Sequence, residues 1–99
     1  MDRDEAMKIL RAHERELRAL GVIRLALFGS VARGDARPDS DVDVMVDIDE
    51  NRKFSLIDLA GLRLYLCDIL GREVDIAERD GLKPYLRENI LAEAVDVIR

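Results

Sequence analysis

Gly29-Ser30-Val31-Ala32-Arg33-Gly34-Asp35-Ala36-Arg37-Pro38-Asp39-Ser40-Asp41-Val42-Asp43-Val44 is the most informative stretch of this 99-residue chain. Before it stands Ile23-Arg24-Leu25-Ala26-Leu27-Phe28, short, mostly apolar and closed by Gly29, which predicts a largely buried first strand. After it, Asp41 to Asp49 alternates strictly, with Val42, Val44, Val46 and Ile48 on one face and Asp41, Asp43, Met45, Asp47 and Asp49 on the other. That alternation predicts a half-covered second strand. Gly29 to Asp41 is rich in Gly, Asp, Pro and Ser, with a short helical piece from Ser30 to Arg33. A glycine at a strand's end admits a ligand close to the backbone, and Ser30 opens a helix whose free N–H groups attract an anion such as phosphate. Asp41 and Asp43, two apart on one strand, point the same way and offer two hard oxygen ligands.

Outward from this stretch the periodicity changes. Met7, Ile9, Leu10, Leu17 and Leu20 predict one amphipathic helix from Asp4 to Leu20, stopped by Gly21. Ser55 to Leu70 carries Leu56, Leu59, Ala60, Leu62, Leu66, Ile69 and Leu70, a helix capped by Ser55 and ended by Gly71. Glu73 to Ala77 reads as a third short strand. Leu86, Ile90, Leu91, Ala94, Val95 and Ile98 predict a last helix from Pro84 to Ile98, its stripe packed on the chain's own sheet. The order helix, strand, turn, strand, helix, strand, helix describes a small two-layer α/β or α+β fold, with residues 1–99 as one domain.

Composition narrows the function classes. Apolar residues are 48% and charged residues 37% of the chain, compatible with a packed core under a heavily charged surface. Twenty-one acidic against sixteen basic side chains give a net charge of −5, the wrong sign for gripping a polyphosphate backbone. With two Tyr, two Phe and no Trp, platforms for stacking bases are scarce. These features speak against direct nucleic-acid binding. The single Cys67 cannot form an internal disulfide, no apolar run approaches a membrane span, and Met1-Asp2-Arg3-Asp4-Glu5 is not a signal peptide. A cytoplasmic protein without membrane attachment is expected.

Asp75, flanked by Val74 and Ile76, takes the polar side of the third strand, so three carboxylates could meet across neighbouring strands. At about 4 Å and an effective dielectric near 20, each like-charged pair repels by roughly 4 kcal/mol. Such a cluster takes up protons or binds cations. Mg²⁺ suits it, being held by a few carboxylates plus substrate phosphates. Two such ions roughly 3.5–4 Å apart clamp the attacking and leaving oxygens of an in-line displacement. A phosphate anchor beside metal ligands points to a nucleoside triphosphate.

Gly29-Ser30, ten intervening residues, then Asp41-Val42-Asp43-Val44 resembles the signature of the polymerase-β-like nucleotidyltransferases, and Asp75 falls where their third carboxylate lies. The resemblance covers about Ile23 to Ala77. The short flanking helices are similar to the minimal nucleotidyltransferase branch, the MntA-type antitoxins. It implies a small mixed β-sheet backed by helices, the nucleotidyltransferase palm, with Asp41 and Asp43 binding both Mg²⁺ ions and Asp75 the catalytic one. Gly29, Ser30, Arg33 and Ser40 become the nucleotide-binding candidates. Residues 1–99 are expected to depart from the larger members in lacking a second domain to hold an acceptor. The family further implies a HEPN-domain ribonuclease toxin as partner, neutralised by transfer of AMP from ATP to a tyrosine. The alternatives are an antitoxin that acts by binding alone and an enzyme modifying a small molecule or an RNA end.

The remaining polar residues carry plainer expectations. Asp39, Asp47 and Asp49 read as loop and surface charge, and Ser40 first of all as a turn stabiliser. Arg33 could hold phosphate bidentately or pair with Asp35 or Asp39, and Gly34 ends the short helix. His13 reads as a solvated helix residue and Cys67 as a small core residue. Tyr65 reads as core or interface, and Tyr85 as the better candidate for an exposed partner contact.

Overall fold

The structure, a computed structural model, describes all residues 1–99. Four strands, β1 (Val22–Phe28), β2 (Val42–Ile48), β3 (Val74–Glu78) and β4 (Val95–Ile98), form one mixed sheet in the order β3-β2-β1-β4. β1 pairs antiparallel with β2 and with β4, whereas β2 and β3 run parallel. The parallel pair needs a crossover, and helix α4 (Leu56–Leu70) supplies it. Ser55 and Asp58 close a reciprocal capping box at its start, and Gly71 ends it in the left-handed region at φ 65°. The other helices are α1 (Arg3–Ala12), α2 (Glu14–Ala19), α3 (Gly29–Arg33) and α5 (Pro84–Glu93).

The valine alternation of β2 aims one sheet face at α1, α2 and α4. Val42, Val44 and Val46 join Leu25, Leu27, Val74, Leu10, Leu17, Leu62 and Leu66 in a single core cluster. The opposite face carries Asp43, Met45 and Asp47 of β2 and Asp75 of β3. It is less open than the alternation predicts, because Met45 and its register partner Ala26 are both fully buried. A 3-10 turn (Arg79–Gly81) packs on β2 and α5 packs on β1.

Two expectations about the elements need correction. The first helix is two helices, broken at His13. The His13 N–H bonds the Leu10 carbonyl at 3.1 Å and its Nδ1 lies 2.8 Å from the Ile9 carbonyl. The side chain thus meets the acceptor that a continuing helix would give to the backbone. His13 is half-buried, its ring edge-on to Tyr65 at 6.1 Å, rather than solvated.

The last helix stops at Glu93. Ala94 is extended, and Val95–Ile98 becomes a fourth strand on the free edge of β1. Three β-branched residues in four favour the strand once an edge offers hydrogen bonds. The expected stripe of α5 therefore does not pack as a unit on the sheet. No α5 residue is buried, and Tyr85 is 70% exposed. Cys67 packs beside the core as expected.

Candidate active site

The site grows from the strand-to-helix turn at Gly29. Phe28, extended, is the register partner of Asp43, so the chain leaves β1 beside that carboxylate. Gly29 then turns with φ +73°, and a Cβ built there would strike the Asp43 carboxylate, lying 3.0 Å from its Cγ. Glycine is required twice over, by the left-handed backbone and by the close approach. Gly34, at φ +85°, ends α3 as its sequence predicts.

The parallel ladder between β2 and β3 sets the carboxylates. Val42 pairs with Val74 toward the core, and Asp43 pairs with Asp75 on the opposite face. Asp41 immediately precedes β2, two residues from Asp43, and the Val42 N–H bonds the Glu73 carbonyl at 2.9 Å. Asp41 and Asp75 are exposed, and Asp43 is half-buried. Burial foremost, then the charges of Asp75 and Asp41, hold the Asp43 carboxyl above the usual carboxylate range. The three acids therefore interact electrostatically. No three His, Cys, Asp or Glu side chains form a ready-made metal cage. An open set of hard oxygens fits Mg²⁺, which keeps waters and takes phosphate oxygens to complete its shell.

Arg33 and Ser40 have structural partners. Arg33 Nε donates to Asp35 at 3.2 Å and Nη1 to Glu93 at 3.0 Å, so of its two foreseen acid partners only Asp35 is engaged. Ser40 Oγ accepts from the Arg37 N–H at 2.9 Å, the turn role. Arg72 donates to the Pro38 carbonyl, tying the loop to the start of β3. Asp47, on the same face as Asp43, is half-buried and clasped by Arg79 at 3.1 Å from both oxygens, which corrects its reading as plain surface charge.

Glu93 is the residue the sequence did not flag. It accepts from the Gly29 N–H at 3.1 Å and belongs to α5, 64 positions away. No local signal separates it from other glutamates of a charged helix. A depression of about 410 Å³, lined in part by Asp39, Ser40 and Asp41, opens beside the motif.

A match to the nucleotidyltransferase domain family covers residues 8–97. The chain belongs to the minimal nucleotidyltransferases of the polymerase-β-like superfamily. This nucleotidyltransferase is 41% identical over 95 residues to the protein adenylyltransferase MntA of Thermococcus cleftensis, covering 95% of this chain and 94% of that protein. It is 43% identical, with a TM-score of 0.71, to a solved structure provisionally described as a minimal nucleotidyltransferase, covering 96% and 95% of the two chains. The same fold, at 17% identity and a TM-score of 0.65, occurs in a solved complex of a tri-AMPylated Shewanella oneidensis HEPN toxin with its MNT antitoxin. That likeness covers 92% of this chain and 71% of the other. No helix of the nucleotidyltransferase is long and apolar enough to cross a membrane.

Proposed function

We propose that this chain, as one cytoplasmic domain, is the antitoxin of a HEPN toxin pair and transfers AMP from ATP to a tyrosine hydroxyl of the toxin. The observation that carries the reading is the register pairing of Asp43 with Asp75 beside Asp41, under a glycine turn that leaves room for nothing larger than hydrogen. The name of the Thermococcus relative and the AMPylated toxin in the Shewanella complex support the acceptor class.

Asp41, Asp43 and Asp75 would hold two Mg²⁺ ions, which when bound supply Lewis-acid stabilisation of the charge on the transferring phosphoryl group. Gly29 and Ser30 present backbone N–H groups to the triphosphate, with Arg33 at the end of α3 and Ser40 in the loop before β2 as further nucleotide contacts. Asp75, exposed beside Asp43, would take the proton of the acceptor hydroxyl. The acceptor oxygen bonds the α-phosphorus, the bond from that phosphorus to the β-phosphate bridge breaks, and pyrophosphate leaves. Incubation with the neighbouring gene's product, expected to be a HEPN-domain protein, with Mg²⁺ and ATP labelled at the α-phosphate tests the proposal. A labelled partner is expected, and an unlabelled one overturns it.

A further inference from the structure

Glu93, the last residue of α5, meets the motif from the neighbouring strand's start: β4 runs antiparallel beside β1 with Val95 opposite Leu27, which brings Glu93 next to Gly29. Its Oε1 accepts from the Gly29 N–H at 3.1 Å and its Oε2 from Arg33 Nη1 at 3.0 Å. One carboxylate thus engages a backbone N–H and a guanidinium, the donor pair suited to phosphate oxygens. It also adds a negative charge within range of Asp43, an unfavourable addition to an acidic cluster.

The element that delivers Glu93 is lightly held. None of the ten residues of α5 is buried, and its N-terminus has no side-chain cap. Lys83 before it and Ala94 after it are both extended, whereas β4 beyond is anchored by buried Val97 and Ile98. Few apolar contacts oppose a local departure of α5.

We propose that Glu93 is an internal stand-in for phosphate: it latches α5 onto the Gly29 turn in the nucleotide-free protein, and a nucleoside triphosphate must displace it from Gly29 and Arg33 to bind. The latch rests on the nucleotide reading of the site given above. Displacement returns Arg33 to the ligand, draws a negative charge away from Asp43, and releases a helix that carries exposed Tyr85 and Leu86.

Two measurements on Glu93→Gln test the latch, with Glu93→Ala as a second variant in which the Gly29 contact cannot persist. The first is ATP affinity by calorimetry in Mg²⁺, and the second is hydrogen exchange across residues 84–93. ATP is expected to bind the variants about tenfold tighter than wild type, the weight of one charge-assisted hydrogen bond. Saturating ATP should raise exchange in wild-type α5 to the level Glu93→Ala shows without ATP, while β1 and β2 stay protected. Equal or weaker ATP binding by both variants overturns the latch and leaves the nucleotide reading standing. Unchanged α5 exchange in folded variants likewise overturns it. If neither wild type nor variants bind ATP although α5 exchange rises in the variants, the nucleotide reading falls and the latch's role falls with it.

Discussion

Asp43 on β2 and Asp75 on β3 are direct register partners in the parallel ladder, so two strands joined only through α4 deliver their carboxylates to the same sheet face. The valines one position earlier, Val42 and Val74, pair in the core. Burying one face of this ladder therefore turns the acids to the other, where Asp75 is exposed and Asp43 half-buried. Substituting either acid by Asn removes the negative charge and one ligating oxygen without changing shape. Nucleotidyl transfer by Asp43→Asn or Asp75→Asn is expected to fall by at least about 100-fold, beyond the 10–100-fold typical of outer-shell partners. Single-turnover rates check this.

Asp43 gives a pH signature in metal-free buffer. Its folded-state carboxyl lies above the ordinary value because of burial and the charges of Asp75 and Asp41. A group so raised favours folding below its unfolded pKa, and that contribution is lost as pH rises through the folded one. At pH 7 the ionised Asp43 is thus a liability, and Asp43→Asn should raise Tm by about 2–4 °C, allowing for solvent screening. The gain should shrink as pH falls toward the ordinary Asp value of 3.8. Thermal melts across pH check it. Added Mg²⁺ should raise the wild-type Tm and leave the variant's nearly unchanged.

Gly29 and Gly34 both adopt positive φ but differ in what surrounds them. A methyl group at Gly29 meets the Asp43 carboxylate, and at Gly34 nothing within 4 Å. Gly29→Ala should cost about 2–4 kcal/mol and abolish transfer, whereas Gly34→Ala should cost about 1 kcal/mol of backbone strain and keep it. Urea unfolding paired with a transfer assay separates the two.

The placement of the candidate site's residues was legible in the sequence because it is written in spacing. Gly29 and Ser30 follow the last residue of β1, and Asp41 and Asp43 stand two apart at the entry to β2, Asp41 just before it and Asp43 within it. The fourth strand was not legible, because Leu91, Ala94, Val95 and Ile98 match a helical stripe as well as Val95–Ile98 matches a strand. The free edge of β1 decided it, and that edge lies some seventy residues earlier in the chain. His13 broke the first helix through a single side-chain contact that no periodicity records. Glu93 stayed hidden for the same reason as β4: its partners Gly29 and Arg33 are distant in sequence.

Asp47 offers a control on the same face. Arg79 ties it into the fold, and the proposed function gives it no metal to hold. Asp47→Asn should lower stability by about 1 kcal/mol through the loss of a half-buried pair and leave transfer within about twofold of wild type. A fall as large as that of Asp43→Asn would move Asp47 into the reacting group.

The most direct test of AMP transfer by the three acids is the intact mass of the HEPN partner after incubation with Mg²⁺ and ATP. Wild type should add whole AMP units, and an Asp41→Asn, Asp43→Asn double variant that still folds and binds the partner should add none. An unmodified partner with wild type, or the same added mass with the double variant, would contradict the account.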